Sequence, residues 1–255
     1  MLKTVTEASF KTSLKLLFVF LPSLQLSAQV PDYELGLWTE GDFESSAVEF
    51  FRVLTLQISS EPSLVTGREG TFSIGGDLST AWQPGSHDIA MISGKAGVLP
   101  AFSGAMTVTH NLALLGWYSG FVSDEDIVSG LGIGAAFLLA RDENGPPNWN
   151  VTLSQRSLYG PDDFFLKTVG VAIFRRIDLR LTEVWGGIVS DYFNAGVHVS
   201  NQESGTRISK RIKGQVNALA VRFGIPLGSQ SSVSLGFKVN SSFAALSLGI
   251  ETSSN

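Results

Sequence analysis

The sequence predicts an all-β protein that folds as a closed antiparallel transmembrane β-barrel of about twelve strands, within a range of about 10–14. Three observations support this class. Apolar residues alternate with small or polar ones in many successive runs, and turn-forming residues separate the runs. The charged fraction is 16%, against about 25% in an average soluble protein. There is no cysteine, which excludes disulfides, thiolate metal sites and cysteine nucleophiles.

The alternation is clearest near the C-terminus. In SSVSLGFKV (231–239) valine, leucine and phenylalanine occupy one face, and serine, glycine and lysine occupy the other. Because side chains along a strand alternate between its two faces, this pattern predicts strands with one oily face. Similar runs recur at 72–82, 131–139, 151–153, 177–185, 193–199, 219–225 and 246–250, and we expect their apolar members, including Trp185, Phe193 and Ala195, to face outward. The intervening segments QPGSH, DENGPPN, GPDD, PLGSQ and NSS have turn chemistry.

The second face of these runs distinguishes a membrane barrel from a soluble sandwich. The outer faces of a sandwich contact water and carry many charges, whereas here the second face is mostly Gly, Ala, Ser, Thr and Asn. Such residues suit the interior of a narrow barrel, so the oily face packs against lipid. Aromatic residues near the ends of runs are typical of membrane interfaces: Trp82, Trp117, Tyr118, Trp149, Tyr159, Trp185 and Tyr192.

The N-terminus predicts a secretory signal peptide over residues 1–28, with lysines before the short apolar run LLFVFLPSLQL and small residues at its end. An N-terminal membrane anchor is the alternative. Residues 29–47 form an acidic N-terminal extension, and residues 48–255 are expected to form the barrel. Within Val48–Ile58 the signals conflict, because Ser46 and Glu49 have the spacing of a helix capping box while the apolar residues alternate. The β-branched and aromatic content favours a strand.

From Gly70 onward the chain resembles Gram-negative outer-membrane β-barrel proteins as a structural class. The resemblance implies an outer-membrane location, export with cleavage of the signal peptide, and contact with outer-membrane lipid, with lipopolysaccharide as a candidate partner. The chain ends in ETSSN, whereas many such barrels end in an aromatic residue. Its formal net charge of −5 argues against nucleic acid as a partner.

The first functional hypothesis is a small pore or passive transporter. Alternation predicts a set of charged or titratable residues lining the lumen, namely Arg156, Arg180, His198, Arg222, Lys238 and Glu251. Small barrels can also be filled by side chains, so a closed structural or interaction barrel without conductance is the alternative. A secreted β-sandwich that binds a ligand remains a third.

His198-Val-Ser200-Asn resembles the active-site strand of outer-membrane acyl hydrolases. That resemblance implies Ser200 as nucleophile and His198 as its general base. However, alternation places both in the lumen, where lipid is not present, and no third residue has a convincing spacing. Enzymatic activity is therefore the weaker hypothesis.

The segment RISKRIK (207–213) concentrates basic residues in an acidic chain. Strand parity places Arg207, Arg211 and Lys213 outward at the barrel rim, where they can pair with lipid phosphates. A solvated strand end is the alternative. The glycine-rich SGLGIGAAF leaves no room for the helix of a nucleotide site, and no metal or other cofactor is expected.

Overall fold

The computed structural model describes residues 40–61, 69–82, 98–123, 126–141, 147–160, 165–179, 182–200, 207–228 and 230–254. These residues form one helix, α1 (Glu40–Ile58), and ten strands. The strands are β1 Phe72–Trp82, β2 Val98–Thr109, β3 Leu112–Ser123, β4 Asp126–Arg141, β5 Pro147–Tyr159, β6 Phe165–Asp178, β7 Glu183–Ser200, β8 Arg207–Pro226, β9 Ser231–Val239 and β10 Ala244–Ser253. In this part of the chain, no helix is long and apolar enough to cross a bilayer.

The ten strands form a closed barrel in which every strand pairs antiparallel with its neighbours along the chain. Closure comes from β1 and β10, whose register runs from Ser73↔Ser253 to Trp82↔Ala244. The predicted class is confirmed, with a strand count at the lower end of the predicted range. Closure leaves the sheet without an edge, which is the condition for a sheet to span lipid.

The outer surface of the barrel is apolar. Ile133 is 73% exposed, Leu131 66% and Leu219 61%, which would be unfavourable in water on this scale but suits contact with lipid chains. Five predicted interfacial aromatics lie on this surface: Trp82, Tyr118, Trp149, Tyr159 and Tyr192. Trp117 and Trp185 point inward instead, so the prediction was wrong for these two.

The barrel has two distinct ends. At the C-terminal end β1 begins and β10 ends, and short segments join the strands there: 110–111, 142–146, 179–182 and 227–230. At the hairpin end β7 passes into β8, and the 83–97 segment, the longest connection between strands, lies there as well. The other connections at the hairpin end are residues 124–125, 160–164, 201–206 and 240–243, so only 83–97 is clearly longer than the segments at the C-terminal end. Short turns at the periplasmic end are typical of outer-membrane barrels.

The β7–β8 hairpin extends beyond its neighbours. β8 pairs with β7 along its whole length, up to Ser200↔Arg207. On its other side β8 pairs with β9 only over Leu219–Pro226, because β9 ends at Val239. Residues 207–218 of β8 therefore rise above the β9–β10 turn.

Helix α1 lies inside the barrel at the hairpin end. Phe51 and Leu56 are fully buried, and the helix packs against β1, β6, β7, β8 and β10. An apolar collar surrounds it, made of Ala81, Leu99, Val128, Leu158, Leu166, Phe193, Ala195, Ile212, Val216, Ala218, Phe243 and Ala245. The interpretation of Val48–Ile58 as a strand was wrong, because the segment lies within α1 and the barrel wall buries its apolar side chains around the helix. The helix also crosses the expected boundary at residue 47.

The helix explains a second wrong prediction. Phe193 and Ala195 were expected to face lipid, yet both are fully buried in the collar around α1. Tyr192, the adjacent residue, is 50% exposed on the outside. A barrel wall that faces an apolar helix has apolar residues on its inner face, so oiliness alone does not identify the lipid side of a strand.

Candidate functional site: helix α1 in the barrel lumen

The C-terminal end of α1 is stabilised by cations from the barrel wall. The last carbonyls of any helix lack partners within the helix, and α1 has no basic residue in its last turn. The Lys238 Nζ of β9 lies 2.9 Å from the Ser59 carbonyl oxygen and 3.3 Å from that of Leu56. The Arg156 guanidinium of β5 donates to the carbonyls of Ile58 and Ser59. Both positive charges also interact favourably with the negative end of the helix dipole.

Arg156 also stacks on an aromatic ring. Its Cζ lies 5.3 Å from the centroid of the Trp117 ring, a cation–π arrangement. Close by, the hydroxyls of Ser60 and Ser154 lie 2.7 Å apart. Because Trp117 turns inward to stack on Arg156, it does not lie at the membrane interface.

The chain beyond the helix enters a buried network of ions. The Glu61 carboxylate lies 3.2 Å from Lys238 Nζ. Deeper in the barrel, Arg222 of β8 lies 3.6 Å from the Glu251 carboxylate and 3.9 Å from Asp77, and it donates to Ser234 at 2.7 Å. Buried charges are tolerated only when they are paired and hydrogen-bonded, and these ions meet that condition.

Glycines on the inner wall make room for the carboxylates. A Cβ atom on Gly249 would overlap Asp77 Oδ1, and one on Gly170 would overlap Asp191 Oδ1. Asp191 is fully buried, and its Oδ2 has no hydrogen-bond partner among the described residues. The small-residue inner face is therefore required by the charges that it surrounds.

The N-terminal half of α1 is anchored at the hairpin end. The Glu44 carboxylate lies 3.1 Å from Lys210 Nζ, close to the start of β8. Further along, Gln57 Nε2 donates to the Ser79 carbonyl at 2.8 Å. The helix thus enters the barrel at the hairpin end and points toward the C-terminal end, where β1 begins.

A cavity remains in the lumen beneath the helix. The described residues leave a cavity of about 80 Å³, which Ser73, Ser103, Gly104, Gly134 and Glu251 help to line. Toward the C-terminal end the interior is filled by two side-chain clusters: Ala105, Ala113, Ala136 and Leu138 in one, and Ala172, Phe174, Trp185, Val189 and Ala220 in the other. Side chains and the helix segment therefore occupy much of the described interior.

The residues expected in the lumen have different locations. Arg156, Arg222, Lys238 and Glu251 point inward and contact the helix segment or one another. Arg180 lies outside the described residues, as do the predicted signal peptide and the part of the predicted extension before Glu40.

The hydrolase hypothesis and the lipid-phosphate hypothesis concern β7 and β8. The main chain of His198 pairs with Ser209, and that of Ser200 pairs with Arg207. The side chains of His198, Ser200 and Arg207 lie outside what the structure describes, whereas Arg211 and Lys213 are exposed on the outer face.

Sequence reasoning missed three inward carboxylates: Asp77 and Glu61 of the ion network, and the buried Asp191. Asp77 lies on the small-residue face of β1, so alternation places it in the lumen, and it belongs with the lining residues. Asp191 was hidden because β7 was assigned the opposite faces. Glu61 follows the helix and belongs to no alternating run, so its position depends on where α1 lies.

No protein-family model matches the sequence, and no curated protein matches it. Solved structures similar to the chain include the β domain of the Bordetella autotransporter BrkA, at 11% identity and a TM-score of 0.43, covering 72% of this chain and 99% of that one. The translocator domain of the autotransporter NalP from Neisseria meningitidis matches at 8% identity and 0.38, covering 87% and 99%. The attachment invasion locus protein Ail of Yersinia pestis matches at 10% identity and 0.30, covering 73% and 100%.

The chain forms a closed antiparallel barrel with an apolar exterior, which is the architecture of transmembrane β-barrels.

Proposed function

We propose that this protein is an outer-membrane pore that its own helix α1 holds closed, and that it conducts only when α1 leaves the lumen. The observation that carries the proposal is the binding of the helix carbonyls by Arg156 and Lys238 of the barrel wall. These contacts and the apolar collar hold α1 in the lumen, where the helix blocks the hairpin end of the barrel.

The contacts are of two kinds. Hydrogen bonds from charged donors contribute about 1.5–3 kcal/mol each, and those from Arg156 and Lys238 act only while the carbonyl end of the helix is inside the barrel. The collar adds burial of residues such as Phe51, which large-to-small substitution data value at about 3–5 kcal/mol. Losing the ionic contacts alone therefore weakens closure without removing the wall of the barrel.

The outer membrane is the proposed location because the exterior fits lipid and the strands form a closed barrel. The short segments at the C-terminal end support placing that end toward the periplasm, and the β7–β8 hairpin toward the outside.

Conductance of the purified mature chain in planar bilayers tests the proposal. The unaltered chain is expected to be silent for most of the recording. The double variant Arg156→Gln/Lys238→Gln is expected to show discrete openings, because the helix end loses both of its cations. The matched control is Lys167→Gln/Arg175→Gln, which removes two outward-facing cations and should stay silent.

A tether separates helix movement from damage to the wall. Glu44→Cys and Lys210→Cys, added to the double variant and joined by a short flexible cross-linker, should suppress the openings, and cleaving the linker should restore them. A correctly inserted double variant without openings would reject the gated pore in favour of a closed structural barrel.

A further inference from the structure

A basic patch lies on the outer surface of β6–β8 at the hairpin end. Lys167, Arg211 and Lys213 are all exposed there. Lys167 pairs with Asn194 of β7, and Asn194 pairs with Lys213 of β8, so the two lysines lie on one line across three strands. Neighbouring strands are about 4.8 Å apart, which places the two lysine backbones about 10 Å from one another.

Aromatic and amide groups surround this basic patch. Lys167 Nζ lies 6.0 Å from the centroid of the Tyr159 ring, and Tyr192 is half exposed beside Val169. Below the lysines, Gln215 Nε2 donates to Ser190 Oγ and Asn217 Oδ1, at 3.0 Å in both cases. Aromatic rings and polar side chains at this level mark the boundary between lipid chains and headgroups.

An open groove continues from the basic patch toward the apolar band. It lies where β8 rises above the β9–β10 turn. Its upper part is polar, with Ser190, Gln215 and Asn217. Its lower part is mostly apolar, lined by Val171, Ile173, Ile188, Leu219 and Val239. Arg52 of α1 and residues 240–243 of the β9–β10 turn also line the groove. A cationic upper surface above an apolar groove fits one amphiphile with an anionic head.

We infer that this face binds a bisphosphorylated glycolipid of the lipid A class, with its phosphates on Lys167, Lys213 and Arg211 and an acyl chain in the groove. Two cations separated by two strand spacings favour a head with two phosphates over a head with one. The surface lies at the hairpin end, so the inference rests on the proposed outer-membrane orientation; it does not require that the barrel conducts.

The test uses the mature chain in phosphatidylcholine vesicles that contain a small fraction of bisphosphoryl lipid A. After release into mild detergent, native mass spectrometry counts the lipid A molecules that stay bound. Each interfacial cation is expected to contribute about fivefold in affinity. Lys213→Gln should therefore weaken binding about fivefold, and the triple variant Lys167→Gln/Arg211→Gln/Lys213→Gln about a hundredfold.

Arg175→Gln is the matched control, because Arg175 is an outward-facing cation of β6 at the opposite end of the barrel. It should bind lipid A like the unaltered chain, and heat-modifiable migration checks that every variant is folded. Weaker binding of monophosphoryl lipid A, and weaker binding at high salt, would support the assignment. A folded triple variant that retains full affinity would overturn it, as would equal affinity for phosphatidylglycerol.

Discussion

At the scale of single residues, each buried cation of the interior pairs with several oxygen atoms, so removing one cation alone destabilises the protein. Lys238 contacts the Glu61 carboxylate and two carbonyls at the end of α1, and it is 3% exposed. Arg222 has a similar role, because it lies between the Asp77 and Glu251 carboxylates. Each cation balances groups from different elements, so its loss leaves buried oxygen atoms without a partner.

The Lys238–Glu61 pair gives the first prediction. Lys238→Met should lower the free energy of unfolding by about 3–5 kcal/mol, because Glu61 keeps its charge in a buried site. Lys238→Met combined with Glu61→Gln should recover part of this loss, although the helix carbonyls still lack their donor. Urea unfolding from lipid vesicles measures both. If the loss in the double variant equals the sum of the losses in Lys238→Met and Glu61→Gln measured separately, the two side chains do not interact.

The room left by inner-face glycines gives the second prediction. Gly249→Ala should destabilise the barrel by about 1–3 kcal/mol, since the new methyl group displaces Asp77 from its position near Arg222. Gly116→Ala is the control, because a Cβ there meets no atom within 4 Å. Both are compared by thermal unfolding in the same detergent. Equal behaviour of the two variants would show that Asp77 moves away at no cost.

At the scale of elements, α1 and β8 depend on one another. α1 buries its apolar face only because the barrel wall supplies the collar, and an isolated helix of this length is marginal in water. The upper part of β8, residues 207–218, pairs with β7 alone among the described strands. Ile212 and Val216 in that part pack in the collar around α1.

One-sided pairing of β8 predicts a distinct pattern of amide protection. Successive residues of an antiparallel strand direct their backbone groups to alternate sides. Within residues 207–218 every second amide should therefore exchange quickly, whereas within Leu219–Pro226 all but proline should be protected. Hydrogen exchange followed by NMR in micelles measures this residue by residue. Uniform protection over both segments would show that another chain segment covers the upper edge.

At the scale of the whole molecule, the chain passes through its own barrel. It enters at the hairpin end with Glu44 beside Lys210, and Glu61 lies in the lumen. It reaches the C-terminal end at Gly70, whose N–H donates to the Thr107 carbonyl at 2.9 Å. Glu44 and the last residues of β10 therefore lie at opposite ends of the barrel.

This topology predicts the sidedness of two epitope tags. A tag inserted between the mature N-terminus and Glu40 should be accessible to antibody on intact cells. A tag after the last residue should become accessible only when the outer membrane is permeabilised. An accessible C-terminal tag on intact cells would reverse the orientation, and two tags on the same side would contradict passage of the chain through the lumen.

Much of the barrel follows from the sequence because its physical cause is local. The alternation of Leu235 with Gly236 and of Phe237 with Lys238 is a property of neighbouring residues. It determines which residues share a face in any strand. Together with the few charges and the small residues on the second face, this alternation also predicts a closed barrel whose apolar face contacts lipid. The inward positions of Arg222 and Glu251 follow the same parity.

Only the tertiary structure decided what fills the lumen. Val48–Ile58 is compatible locally with a strand or a helix, since a short apolar run has no period that separates the two. Once this segment is a helix inside the barrel, the inner wall around it must be apolar, and Phe193 and Ala195 turn inward to meet it. That reversal, and the pairing of Glu61 with Lys238, depends on contacts between residues far apart along the chain. The sequence alone determined which residues share a face of the barrel wall; packing across the lumen decided which face of β7 is inside and that α1 occupies the lumen.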